Sequence, residues 1–191
     1  MDIKPYIKQT KIAGLYKIDR EIFWDNRGFF REVYHKDELE EALGYEFNAV
    51  QMNHSLSGPK VLRGIHPDPW DKLVYPLNGQ VFIAIVDIDP KSPTFKQVET
   101  FNVDDNNRHG LFVRKGLGNS LCVLGQEAVH YVYLVTSYWD GHAMSGMRAV
   151  AYNDPDLNIA WPIKDPILSD KDKQNKTLRE HYQKEYPNLF K

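Results

Sequence analysis

The ten residues QVFIAIVDID, 80–89, decide the fold class. Val81, Ile83 and Ile85 alternate onto one face, and the residues between them are apolar enough to leave the other face half buried, so the segment reads as a strand. LCVLG (121–125) and VHYVYLVTSYW (129–139) read likewise. Between such runs the turn signals DNRG, LSGPK, LNGQ, DPKSPT, DDNNRHG and RKGLGNS recur at short intervals. Short strands joined by turns predict an all-β sandwich or small barrel. The clearest helix is HKDELEEALG (35–44), opened by Asp37 with Glu40 three residues on in the manner of a capping box, and closed by Gly44. The polar tail from Leu168, LSDKDKQNKTLREHYQKEYPNLFK, is expected to cross the outside of the sheets and end helical.

The 191 residues are 42% hydrophobic and 13% aromatic, enough for one sizeable core, so one domain spans 1–191. Twenty-four Lys and Arg against 26 Asp and Glu leave a net charge of −2, without a block of like charges that would ask for nucleic acid or a membrane surface. Cys122 is the single cysteine, which rules out an internal disulfide and suits a small apolar filler. The N-terminal MDIKPYIKQTKIAGLYKI lacks the apolar core of a signal peptide, and no apolar run reaches the length of a membrane span. A soluble cytoplasmic protein is the expectation.

RGIHPDPWDKLVYPLNGQV (63–81) carries three basic groups just ahead of the core. A lone histidine there would be a packing residue; His66 has company. Arg63 forks well onto phosphate, and Lys72 is a compact cation suited to a developing oxyanion. Upstream, DNRGFFRE gathers Asp25, Arg27, Phe30 and Glu32, and QMNHSLS places Gln51, Asn53, Ser55 and Ser57 on one face of a strand. That many polar side chains on one face fit a polar ligand cavity better than a closed core. A metal is not expected. A metal-binding barrel of the cupin type uses two histidines one residue apart, a carboxylate and a later histidine, whereas here His66 has no such neighbour and Asn119 stands where the later ligand would be. His35, His54, His109, His130, His142 and His181 are scattered without metal-ligand spacing and read as surface or packing residues.

DNRGFFRE (25–32), QMNHSLS (51–57), RGIH (63–66), KLV (72–74), Asp87 with SPTF (92–95), Asn153-Asp154-Pro155, Trp161-Pro162 and LSDKD (168–172) occur in an order and spacing that resembles the dTDP-4-dehydrorhamnose 3,5-epimerase family over roughly residues 13–175. The resemblance implies a metal-free, cofactor-free, cupin-like jelly roll with short peripheral helices, working as a homodimer. It also implies inversion of carbons beside the C4 ketone of a nucleotide-linked 4-keto sugar. Such chemistry needs a base on one face, a group for the enolate oxygen and an acid on the opposite face. By resemblance His66 is the base, Asp172 orients it, Lys72 holds the enolate and Tyr133 is the acid, with Tyr131 the runner-up because alternation puts both on one face. Arg63 meets the diphosphate, and Arg27, Phe30, Glu32, Gln51, Asn53, Asn119, Ser120 and Tyr138 complete the implied binding set.

Two departures stand out. HPDPWDK shortens the spacing from histidine to lysine and introduces Pro67, Pro69 and Trp70, and Gly118-Asn119-Ser120-Leu121 replaces the family's AHGF, so a histidine near the enolate is lost. Asn119 can donate a hydrogen bond but does not titrate near neutrality. This combination is similar to the branch acting on GDP-linked 4-keto-heptoses in bacterial capsule synthesis. Three other readings compete: a sugar 3,4-ketoisomerase, a sugar-binding cupin without catalysis, and a metal-dependent cupin.

Overall fold

The computed structural model describes residues 6–139 and 148–190; His142 lies outside them. Among the described residues the strands are β1 (Ile7–Gln9), β2 (Leu15–Ile18), β3 (Phe23–Asp25), β4 (Gly28–Phe30), β5 (Gln51–Ser57), β6 (Leu62–Pro67), β7 (Lys72–Pro76), β8 (Val81–Val86), β9 (Val98–Val103), β10 (Gly110–Val113), β11 (Gly118–Val123) and β12 (Val129–Val135). They form a six-stranded sheet in the order β1-β2-β10-β7-β12-β5, a four-stranded sheet β6-β11-β8-β9 and a hairpin β3-β4, with antiparallel pairing throughout. This is the mostly β architecture that the alternating segments predict, in the cupin-like form that the family resemblance implies.

The larger sheets face each other across a shared core. Val81, Ile83 and Ile85 of β8 meet Val74, Leu111, Val113 and Val129 of the opposite sheet, with Ile12 and Leu15 closing one side. Each such side chain, fully buried, contributes about 1.5–3 kcal/mol. The other face of β8 is wholly rather than half buried. Phe82 and Ala84 pack with Leu62 and Cys122 against Tyr152, Trp161 and Leu168, and Val86 joins Ile65, Val150, Leu157, Leu178 and Phe190. The chain from 150 onward returns across this face, so every residue of β8 is apolar. Burial pushes the Cys122 thiol up to about 11, as suits an apolar filler.

Helix α1 (Lys36–Leu43) ends as predicted, with Gly44 at φ 76° donating to the Glu40 carbonyl at 2.8 Å. Its start differs. His35 occupies the N-cap position without a side-chain cap, Asp37 and Glu38 lie in the first turn, and the Glu40 carboxylate accepts from the Phe47 N–H at 2.9 Å. Leu39 and Phe47 thereby cover Leu73, Tyr75 and Phe112 on the outer face of the six-stranded sheet. A capping box does form in the tail, at α2 (Leu178–Tyr182), between Thr177 and Glu180. The tail then ends in a 3-10 turn, Pro187–Phe190. No helix among the described residues is long and apolar enough to cross a membrane.

Candidate active site

The inner faces are not uniform. Along β5, inward positions carry Gln51, Asn53, Ser55 and Ser57 while Met52, His54 and Leu56 face outward, as the alternation of burial shows. β5 and β6 are edge strands of their respective sheets, and Arg63 on β6 bridges them. It donates from Nε to Ser57 Oγ at 2.8 Å and from Nη2 to the Leu56 carbonyl at 3.0 Å. Between these edges a cavity of about 720 Å³ opens, lined by Asn53, Arg63, His66, Lys72, Asn119, Tyr131, Tyr133 and Asp172.

His66 Nε2 lies 2.5 Å from Asp172 Oδ1, a contact spanning 106 residues of sequence. Asp172 is held in turn: its N–H donates to Ser169 Oγ at 3.1 Å and Asn175 Nδ2 donates to its Oδ1 at 3.3 Å. Burial alone would push this carboxyl up, but the hydrogen bonds and the charge of His66 outweigh it, and the net shift is downward. An ionised Asp172 accepting from Nε2–H leaves Nδ1 of His66 with the lone pair of a base. LSDKD thus supplies the orienting carboxylate from a 3-10 turn, Asp172–Gln174, against β6.

Opposite the dyad, β12 presents two tyrosines with ring centroids 6.2 Å apart. Both line the cavity, so alternation holds; they differ in depth. Tyr131 is almost fully buried and Tyr133 only half, and burial is the main cause that pushes both hydroxyls up. Both are therefore proton donors in the physiological range. Lys72 is buried on the cavity wall and ion-paired to Asp68. Asn119 reaches the cavity, with its Oδ1 buried and without a hydrogen-bond partner among the described residues.

Other predicted site residues are placed elsewhere. Ser120 follows Asn119 on β11 and so points to the opposite face, where its hydroxyl donates to the Ala84 carbonyl at 3.1 Å. Tyr138 lies past the end of β12, 68% exposed and outside the cavity lining. Gln51 stands one step back: its Nε2 donates to Asn53 Oδ1 at 2.6 Å and its Oε1 accepts from the Trp139 N–H at 3.0 Å. Arg27, Phe30 and Glu32 belong to the β3–β4 region, and none lines the cavity of its own chain. Arg27 pairs with Asp25 at 2.5 Å and Glu32 with Arg20 at 3.2 Å, while Phe30 is 66% exposed.

The cavity also contains residues that the sequence does not single out. Asp68, Trp139 and Lys171 line it; Trp70, which the shortened segment did point to, lines it too and meets Trp139 edge to face at 6.2 Å. The signal for Asp68 was its place four residues before Lys72 in the shortened segment. Trp139 closes the segment read as a strand from 129 to 139, but β12 ends at Val135, so it reaches the cavity from beyond the strand. Among the described residues no group of three or more His, Cys, Asp and Glu side chains could hold a metal ion.

The chain resembles known proteins over most of its length. A family model described as dTDP-4-dehydrorhamnose 3,5-epimerase matches residues 9–180. The chain is 36% identical over 168 residues to a dTDP-4-dehydrorhamnose 3,5-epimerase of Shigella flexneri, covering 86% of this chain and 91% of that one. Among solved structures, a 4-keto-6-deoxy sugar epimerase from the novobiocin biosynthetic gene cluster of Streptomyces spheroides superposes with a TM-score of 0.86 at 31% identity, covering 93% and 89% of the two chains. A 3'-monoepimerase from Streptomyces bikiniensis, solved with dTDP-quinovose, gives 0.82 at 30% identity, covering 90% and 88%.

Proposed function

The chain belongs to the dTDP-4-dehydrorhamnose 3,5-epimerase family, and from that premise we propose how its own residues carry out the reaction. It is an isomerase acting as a nucleotide-sugar epimerase. The substrate is a nucleotide-linked 4-keto sugar, and the reaction inverts C3, or C3 and C5, without a cofactor, in the supply of sugars for bacterial surface polysaccharide. The observation that carries this reading is the placement of the His66–Asp172 dyad, Lys72 and Tyr133 around one cavity.

His66 removes the proton beside the ketone, and Asp172 stabilises the imidazolium that results. The electron pair moves onto the C4 oxygen, where the Lys72 ammonium holds the enolate. Tyr133, protonated and less deeply buried than Tyr131, returns a proton to the opposite face. Arg63 has two donors engaged with β5 and turns its remaining edge to the diphosphate.

The active form is a homodimer. Phe23, Trp24, Phe29 and Phe30 stand exposed on the β3–β4 hairpin, an apolar surface that a second copy would cover. In the dimer, Arg27, Phe30 and Glu32 complete the nucleotide cleft of the neighbouring copy. The shortened 67–71 segment and Asn119 favour a donor different from the 4-keto-6-deoxy sugars of the relatives, and a GDP-linked 4-keto-heptose is the second reading.

Proton NMR of dTDP- and GDP-linked 4-keto sugars incubated with the protein in deuterated water tests the reading. Deuterium at C3 alone identifies a 3-epimerase, deuterium at C3 and C5 a double epimerase, and the faster donor names the nucleotide. Carbonyl migration would identify a ketoisomerase. No exchange with any donor would overturn the epimerase reading.

A further inference from the structure

Lys72 is nearly fully buried, and the one hydrogen bond its ammonium makes among the described residues goes to Asp68 Oδ2. A buried ammonium without an anion is strongly unfavourable, so this carboxylate is what permits a cation at that point of the wall. The loop carrying Asp68 is fixed independently of Lys72. Pro67 and Pro69 restrict φ on both sides, and Gly116 N–H donates to the Asp68 carbonyl at 2.8 Å. Further along, Asp71 N–H donates to Thr136 Oγ1 at 3.1 Å, and the Asp71 carboxylate accepts from Lys115 N–H at 2.8 Å and from the Tyr45 hydroxyl at 2.9 Å. Asp68 is thus a fixed point to which a flexible lysine is tied.

We propose, on the basis of the epimerase reading, that Asp68 is a positioning residue that holds the Lys72 ammonium against the enolate oxygen. Asn119, on the same cavity wall, carries no charge with which to share that task. Among the described residues, the other charged or titratable groups lining the cavity with the pair are Arg63 and His66 from β6, Tyr131 and Tyr133 from β12, and Lys171 and Asp172 from the tail. Tyr133 is coupled to Asp68 as well. Burial first and the Asp68 charge second push its hydroxyl up, with Arg63 partly opposing, so Asp68 also helps keep the acid protonated. During turnover Asp68 keeps its charge: the proton leaving carbon goes to His66, the returning proton comes from Tyr133, and exchange with solvent restores both.

Deuterium-exchange kinetics of the wild type, Asp68→Asn, Lys72→Met and the double variant test this. Asp68→Asn is expected to lower kcat about tenfold or more with KM within about threefold, because the loss is confined to the transition state. The alkaline limb of its pH profile moves to lower pH, since Tyr133 loses an adjacent negative charge. Adding Asp68→Asn to Lys72→Met is expected to change kcat at pH 7 by less than about twofold, because Asp68 acts through Lys72. The double variant leaves no unpaired charge, so it stays informative should Asp68→Asn alone fail to fold. An Asp68→Asn protein with wild-type kcat, or a further tenfold loss on adding Asp68→Asn to Lys72→Met, overturns the inference while the epimerase reading stands. A wild type that exchanges no donor overturns both.

Discussion

The two halves of the sandwich interior are built from the same pair of sheets and differ in what fills them. Where β2 and β10 face β8 and β9, the space is closed by Leu15, Ile83, Leu111 and Val113. Where β5 and β12 face β6 and β11, it holds Asn53, Arg63, His66, Asn119 and Tyr133. The charged groups of the polar half are tolerated because they have partners: Arg63 is tied to β5, His66 to Asp172 and Lys72 to Asp68, whereas Asn119 Oδ1 has none among the described residues. It lies along the edge strands of both sheets, where water and substrate can enter. The closed half pays for rigidity that the open half uses, since the proposed mechanism needs walls that keep a base and an acid on opposite faces of one carbon.

Substitutions in the two halves should therefore fail differently. His66→Asn is expected to lower exchange at both carbons by a thousandfold or more while the melting curve stays near wild type, because the base is lost and the sheets are untouched. Exchange near the wild-type rate would remove His66 from its role. Ile83→Ala, in the closed half, is expected to cost about 2–5 kcal/mol of stability in denaturant unfolding, with kcat of the folded fraction little changed. A large loss of kcat without loss of stability would show that the halves are not separable.

Tyr133→Phe is expected to slow reprotonation by about ten- to a hundredfold, most at the carbon for which this hydroxyl is the obligatory acid. If Tyr131→Phe has that effect and Tyr133→Phe does not, the deeper tyrosine is the acid. The smallest effect concerns a second histidine. His109 is buried against Phe101, and burial first, with Lys17 adding, pushes its imidazole down to about 4. Between the ordinary histidine value near 6.5 and 4, the unfolded chain binds a proton there and the folded chain does not. Stability therefore falls as pH drops through that window and levels below it, by about 1–3 kcal/mol. His109→Gln should flatten this part of the stability profile; an unchanged slope between pH 6.5 and 4 would show that His109 is not its source.

Much of the fold was legible locally. The alternation of β5 predicted one polar face, and Gln51, Asn53, Ser55 and Ser57 do share it. Gly44 ends α1, as its freedom at positive φ suggested. Where local patterns misled, a longer-range contact had prevailed. Glu40 serves the Phe47 N–H rather than a capping box, and Phe82, Ala84 and Val86 are covered by chain arriving from beyond residue 150. In the site, Ser120 was misplaced although strand alternation sends it away from the face of Asn119, and Arg27, Phe30 and Glu32 stand apart from the cavity of their own chain.

The sequence by itself determined the all-β class, the presence of strands at β5, β8, β11 and β12, the polar stripe of β5 and, through the ordered fragments from DNRGFFRE to LSDKD, the family. These are properties of short windows, because side-chain direction in a strand is set by the backbone within two residues. The resemblance already paired Asp172 with His66, and the tertiary structure gave that contact its geometry across 106 residues; only the tertiary structure decided that Tyr131 lies deeper than Tyr133 and that Lys72 is tied to Asp68 in a loop fixed from three directions. Those facts depend on which faces of which strands are brought together when two sheets close on each other, and no short window contains both sides of such a contact.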